Sequence, residues 1–305
     1  MVIKMAEMTE SAPIQAAWEA GETASKHKAY GFHMVRILKY ALLAALGILM
    51  AFPFLWMVLS ALKTKQELMD VSAFLPAAPQ WTNFTQVLFD SPIPRYIANS
   101  LFVSVVTVAF QVFSGALLAY AVVFLRFRGR HALFAVIMAC YYVPGVITFI
   151  PSYIILSKWG LIDTYTGLMV SELISIFGVF LLRQSFLQMP AELTEAAWLD
   201  KAGHWKTLWK VVFPMTRPTF VSLALILFIS CYNNYMWPSL ITDSPELSMV
   251  SQGLRRFFVE GGAYGTDWAL VMAGSSLVVL PLLILFAALQ KRFIAGLGAD
   301  SGIKG

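Results

Sequence analysis

The chain has 305 residues, of which 59% are hydrophobic and 13% charged, and its mean hydropathy is +0.71. A soluble domain is about 45–50% apolar and about 25% charged, so one aqueous fold around a single core is excluded, and 23 Phe with so little charge exclude disorder. Two Cys exclude a disulfide scaffold and a Cys-rich metal site, which leaves a polytopic membrane protein.

Residues 1–35 are polar and mixed in charge. The first apolar run starts near Ala41, too far in for an ordinary cleaved signal peptide; a cytosolic tail leading into a retained helix is expected. A bilayer core needs roughly 20 apolar residues per helix. Ala41–Leu62 supplies the first span. The loop Lys63–Arg95 follows, with Pro76, Pro79, Pro92, Pro94, Trp81 and Phe84, and reads as an ordered segment on the membrane surface. Tyr96–Leu125 and Ala132–Ser157 are the second and third spans, and the Pro144 and Gly145 pair marks a flexible point in the third. Thr164–Leu182 is the fourth and holds one charge, Glu172. Pro218–Thr242 and Trp268–Gln290 are the fifth and sixth. None alternates like a membrane strand. Both cysteines, Cys140 and Cys231, fall in spans, where burial as small apolar residues is expected.

Orientation follows from Lys and Arg near the span ends. With the N-terminus in the cytoplasm, sixteen of the 22 basic residues lie inside and six outside. Both termini are therefore expected inside, and the net charge of +5 is a topology signal that gives no support to nucleic-acid binding.

One inner loop, residues 189–217, has a pattern of its own. Pro190 suits a first helical turn, and Glu192 and Glu195 suit the positive end of that helix. Asp200 is placed to cap a second helix, and Gly203 permits a tight turn. Trp205, Leu208, Trp209 and Val212 then recur at i, i+3, i+4 and i+7, until Pro214 and Pro218 end the pattern. Small Ala196 and Ala197 allow close approach. Two readings fit these residues: a helix docking in a groove of another protein, or an interfacial helix lying against headgroups.

The stretch Glu195-Ala-Ala-Trp-Leu-Asp-Lys-Ala-Gly203, with Pro214 and Pro218 beyond it, resembles the Glu-Ala-Ala loop of binding-protein-dependent ABC importer permeases. That family usually has Gly six positions after the Glu; this chain has Lys201 there. Tyr232-Asn-Asn-Tyr-Met-Trp-Pro238 resembles the Trp-Asn-Asp-Phe-Leu-Trp-Pro stretch of carbohydrate-type members. The ending from Gln290 to Gly305 resembles the tail of the second permease subunit in maltose-type systems. The resemblance covers roughly Val35 to Gly305. It implies an all-α polytopic membrane protein with six transmembrane helices in the type I ABC importer permease fold. It further implies that the loop is a coupling helix, with Glu195, Ala196, Ala197, Asp200, Ala202, Gly203 and Pro214 as its site.

The organisation expected is a cytosolic tail 1–35, a first helix with its outer loop 36–95, a permease core 96–290 and a cytosolic tail 291–305. No Gly-x-x-x-x-Gly-Lys-Ser/Thr phosphate loop occurs, so this chain is expected to bind no ATP. The resemblance places ATP and Mg on two separate ATPase subunits, and adds a second permease subunit and an external solute-binding protein in the bacterial inner membrane.

Candidates for the solute path are Asn233, Asn234, Tyr232, Tyr235 and Trp237, since amides bind hydroxyls and aromatic faces match sugar rings. The plainer reading makes the aromatics an interfacial belt and the amides glue between helices. Glu172 is a solute contact, a proton site or a helix–helix hydrogen bond. If it carries protons, the chain is a proton-coupled secondary transporter. No catalytic residue and no metal ligand set emerges, so no enzyme is expected. Substrates consistent with the family run from neutral oligosaccharides and polyols to glycerol-3-phosphate and acidic sugars such as alginate fragments.

Overall fold

The computed structural model describes residues 36–70, 73–260 and 267–298, with helices and no strand among them. The chain divides into two compact units at Met57/Val58. In the first, helix α1 (Arg36–Ala61) begins; it is long and apolar enough to cross a bilayer, and every side chain from Arg36 to Leu55 is exposed. Such a surface is stable only in an apolar surround.

The second unit starts with two short helices, α2 (Lys65–Met69) and α3 (Thr82–Asp90), which give the Pro-rich loop its order. Thr64 and Glu67 form a reciprocal capping box at α2. Lys63 is buried, and its ammonium donates to the Ala73 carbonyl. Helix α4 (Ile93–Phe124) has 32 residues, about 48 Å at 1.5 Å per residue. It forms the axis of the unit and packs against α8 (Ile176–Leu187) and α11 (Arg217–Tyr232), while α11 packs against α14 (Trp268–Gly298). A Cβ added to Gly115 of α4 would lie 3.6 Å from the Gly178 carbonyl carbon of α8, a close crossing of the kind small residues permit. Ala116, Tyr120, Leu182, Phe186 and Leu223 build the core there. A second cluster, with Val103, Leu156, Leu168, Trp237 and Ile241, lies toward the N-terminal end of α4.

The sequence predicts six continuous spans, and the structure is interrupted at three of them. Helices α5 (Arg130–Tyr141) and α6 (Gly145–Lys158) meet at 99°; the missing N–H of Pro144 and its restriction on Val143 place the bend. The fourth expected span divides into α7 (Tyr165–Val170) and α8, separated by residues 171–175. The fifth divides into α11 and α12 (Met236–Ile241), separated by residues 233–235. The first, second and sixth are single helices. Cys231 is buried, but Cys140 is exposed on α5, contrary to expectation. The tail 1–35 lies outside the described residues, as do positions 299–305 of the C-terminal motif.

Candidate functional site: a loop at one end, two cavities at broken helices

Loop 189–217 forms two helices, α9 (Ala191–Leu199) and α10 (His204–Met215), the latter bent by 83° from α11. The turn between them differs from expectation. Asp200 does not cap α10; it is the C-cap of α9, and Gly203 holds the N-cap position of α10 with ordinary extended backbone. The tight turn is made by Lys201, at φ 57°. Its N–H donates to Trp198 O at 3.0 Å, and the Ala202 N–H donates to Ala197 O at 2.9 Å. This pair of bonds is a Schellman motif, whose left-handed position is most often glycine. It is the position at which the related family pattern has Gly.

The loop has two faces. Thr194 is buried, and Trp198 packs edge-on against His204. Tyr120 Oη lies 3.1 Å from His204 Nδ1, which ties the loop to the C-terminal end of α4. Leu208 and Val212 are buried, and Trp209 stacks on Phe113 of α4. The apolar face of α10 thus covers this chain's own bundle, although Trp205 stays 62% exposed. The free face of α9 carries Glu192, Glu195, Ala196 and Leu199, all exposed and spaced i, i+3, i+4, i+7. Leu199 is 84% exposed and was missed from sequence, where attention falls on the alanines. Pro214 lies in the last turn of α10, beside the bend at Thr216.

The interrupted helices bring Glu172 and Asn234 together. Asn234 Nδ2 donates to Glu172 Oε1 at 2.9 Å. The unwound carbonyls beside Glu172 are satisfied from α4: Gln111 Nε2 donates to Glu172 O at 2.6 Å and Ser114 Oγ to Leu173 O at 3.0 Å. Without such partners, broken backbone at membrane depth is not tolerated. A cavity of about 420 Å³ opens here, lined by Gln111, Glu172, Ser175, Ser230 and Asn234 among apolar residues. Gln111 ends a buried polar stripe on α4, with Ser100, Ser104 and Thr107 at i, i+4, i+7, i+11. The stripe also went unnoticed in the sequence, though its spacing is readable there.

The remaining path candidates separate. Tyr232 is fully buried and donates to Val278 O at 3.0 Å, and Trp237 is buried against Phe149; both hold helices together and line neither cavity. Asn233 is exposed, and its amide turns back to Ile229 O at 2.9 Å. Tyr235 faces a second cavity, of about 360 Å³, with Ser239, Thr242, Asp243, Gln252, Arg255 and Arg256.

Around that cavity the loops are tied together. Asn99 of α4 donates to Glu246 O at 2.8 Å and Ser248 O at 3.0 Å, and accepts from Tyr165 Oη at 2.7 Å. Asp163, at φ 56°, accepts from the backbone of Asp243 and Ser244, both at 3.1 Å, and from the Ser244 hydroxyl. Those bonds, the hydroxyl first, hold its carboxyl below the usual carboxylate range.

Residues 111–298 match the family model for the binding-protein-dependent transport system inner membrane component. The chain is 30% identical over 265 residues to the sn-glycerol-3-phosphate transport system permease protein UgpE of Brucella abortus (strain 2308), covering 84% of this chain and 94% of that protein. It is 27% identical over 278 residues to the arabinooligosaccharides transport system permease protein AraQ of Bacillus subtilis (strain 168), covering 90% and 98%. Among solved structures, a chain of a bacterial ABC transporter involved in the import of the acidic polysaccharide alginate superposes with a TM-score of 0.76 at 23% identity, over 86% of this chain and 97% of that one.

Proposed function

We propose, for a chain that belongs to the family of binding-protein-dependent transport system inner membrane components, that it is one permease subunit of an ATP-driven importer of oligosaccharides or related polar solutes, acidic sugars included. The multi-pass fold is that of a type I ABC importer permease. In this reading a second permease subunit completes the solute path. Two ATPase subunits hold ATP and Mg on the cytoplasmic side, where both termini and loop 189–217 lie, and an external binding protein delivers solute to the opposite end.

The observation that carries the reading is the free face of α9. Glu192, Glu195, Ala196 and Leu199 project from a helix whose Trp198 packs on His204 of α10, which Tyr120 in turn ties to α4. A rigid, anchored helix with one apolar anchor ringed by acid suits a groove in a partner. Force applied to α9 reaches α10, and beyond the bend at Thr216 it reaches α11, which ends at Tyr232, two residues before Asn234. ATP-driven closure of the ATPase pair would move α11 and so reshape the cavity at Glu172. Alternating access then requires no bond-breaking chemistry in this chain.

The test is reconstitution of the four-part complex in proteoliposomes with its binding protein. Solute-stimulated ATP hydrolysis and ATP-dependent uptake are expected. Ala196→Trp should leave hydrolysis running while uptake falls; assembly and uptake at the normal rate in that variant would overturn the assignment.

A further inference from the structure

We infer that the cavity between α12 and α13 (Val250–Glu260) is an oxyanion site for the solute, with Arg255 and Arg256 binding a carboxylate or phosphate carried on a polyhydroxylated molecule. The inference rests on the importer reading and narrows its substrate class to anionic solutes.

Three observations carry it. The first is charge. Arg255 donates to the Tyr235 hydroxyl and lies 5.7 Å from the centre of that ring; Arg256 donates to the backbone carbonyl of Asp243 at 3.3 Å. Among the described residues neither guanidinium is paired with a carboxylate. Each therefore keeps charge and N–H donors for another acceptor, in the planar geometry that matches carboxylate and phosphate. Among the described residues of the lining Asp243 is the only acid, so their formal charge is net positive.

The second is the rest of the lining. Ser239, Thr242 and Gln252 supply neutral donors and acceptors, and Tyr235 supplies a flat face. This combination fits a hydroxylated ring that bears an acid. Gln252 and Thr242 are fixed by a mutual hydrogen bond at 3.1 Å, and Gln252 also accepts from the Met249 N–H at 2.9 Å, so the polar wall is built before any ligand arrives.

The third is position. The unwound segment 233–235 serves both cavities: Asn234 lines the one at Glu172, and its neighbour Tyr235 lines the one at Arg255. Ser251 at the start of α13 donates to Asn233 O at 3.1 Å, clamping α13 to the break. An acid held at Arg255 and Arg256 is therefore one residue from the lining of the inner cavity.

The complete complex in nanodiscs, without binding protein, is titrated with three probes: glucuronate, sn-glycerol 3-phosphate and glucose, read by saturation-transfer NMR on the probe. Binding of at least one acid, with glucose silent and the signal weakening as salt rises, is the expected result; which acid binds separates carboxylate from phosphate. Arg255→Gln with Arg256→Gln should weaken that binding by about tenfold or more, whereas Lys158→Gln should not. Equal binding of glucose, no binding of either acid, or unchanged binding in the double variant overturns the site. If the double variant keeps acid binding and loses only stimulation by the binding protein, the arginines contact an acidic patch of that partner and the proposal fails. A complex that binds acid but shows no solute-stimulated ATP hydrolysis once its binding protein is added would defeat the importer reading and leave the site standing.

Discussion

Asn234 donates to Glu172 across 2.9 Å, and each residue sits where a helix has come apart. A hydrogen bond between two interrupted elements fixes their separation as neither could alone. It needs an acceptor at Glu172 and does not need a charge. Glu172→Gln retains an amide oxygen for Asn234, so the variant should fold and transport within a few-fold of wild type, while Glu172→Leu should lose the bond and strand a buried amide, a loss of roughly 1–3 kcal/mol. Paired measurements of thermal stability and uptake check this. Abolished uptake in Glu172→Gln at normal stability would favour a proton-driven carrier instead.

Lys201 occupies the left-handed position of a Schellman turn. An L-residue there costs roughly 1–2 kcal/mol relative to its preferred backbone, and glycine avoids the clash. Lys201→Gly should slow hydrogen exchange at the Ala202 amide, which donates across the turn, and raise the melting temperature slightly. A β-branched replacement, Lys201→Val, should do the opposite.

Leu199 is the largest apolar side chain on the free face of α9. An aliphatic anchor at the centre of a docking surface is worth about 1–2 kcal/mol or more. Leu199→Asp should reduce the affinity for the ATPase subunits by about tenfold or more without altering the yield of folded permease, and Leu199→Met should bind normally. Pull-down titration against purified ATPase subunit gives the answer.

Asp163 holds the loop after α12 through three acceptor bonds, and its folded pKa is depressed. A depressed acid contributes stability that is fully present above its unfolded value of about 3.9 and is lost as pH falls through the folded value. The complex should therefore soften below about pH 4, and Asp163→Asn should flatten that part of the profile, because an amide oxygen accepts bonds without titrating. Melting curves from pH 7 downward, variant against wild type, isolate this residue from the other carboxylates.

Membrane residence, the helix–turn–helix loop and the break at Pro144 are legible from residue type alone, because composition, helical spacing and the chemistry of proline are local properties. The breaks at Glu172 and Asn234 are not. Gly and Pro are absent from both; carbonyls exposed at the first are satisfied by Gln111 and Ser114, some sixty residues away from Glu172 and Leu173, and Asn233 O at the second by Ser251. The Lys201 turn is hidden for a related reason: Gly203 is the obvious turn residue, and only the hydrogen-bond pattern shows that the reversal happens two positions earlier. Tyr232, Trp237 and Tyr235 look alike in sequence as candidate sugar platforms. Packing sends the first two into the core and leaves the third at a cavity.

Helix α8 has 12 residues, about 18 Å, against a hydrocarbon layer of about 30 Å. Neither it nor α7 can cross the bilayer as an independent insertion event, and the Glu172 and Leu173 carbonyls between them take their side-chain donors from α4. Biogenesis of this segment must therefore wait for α4 to be in place beside it. A chain truncated or mutated at Gln111 and Ser114 would be expected to stall in assembly before it could fail in transport, so defects there belong to membrane quality control as much as to uptake.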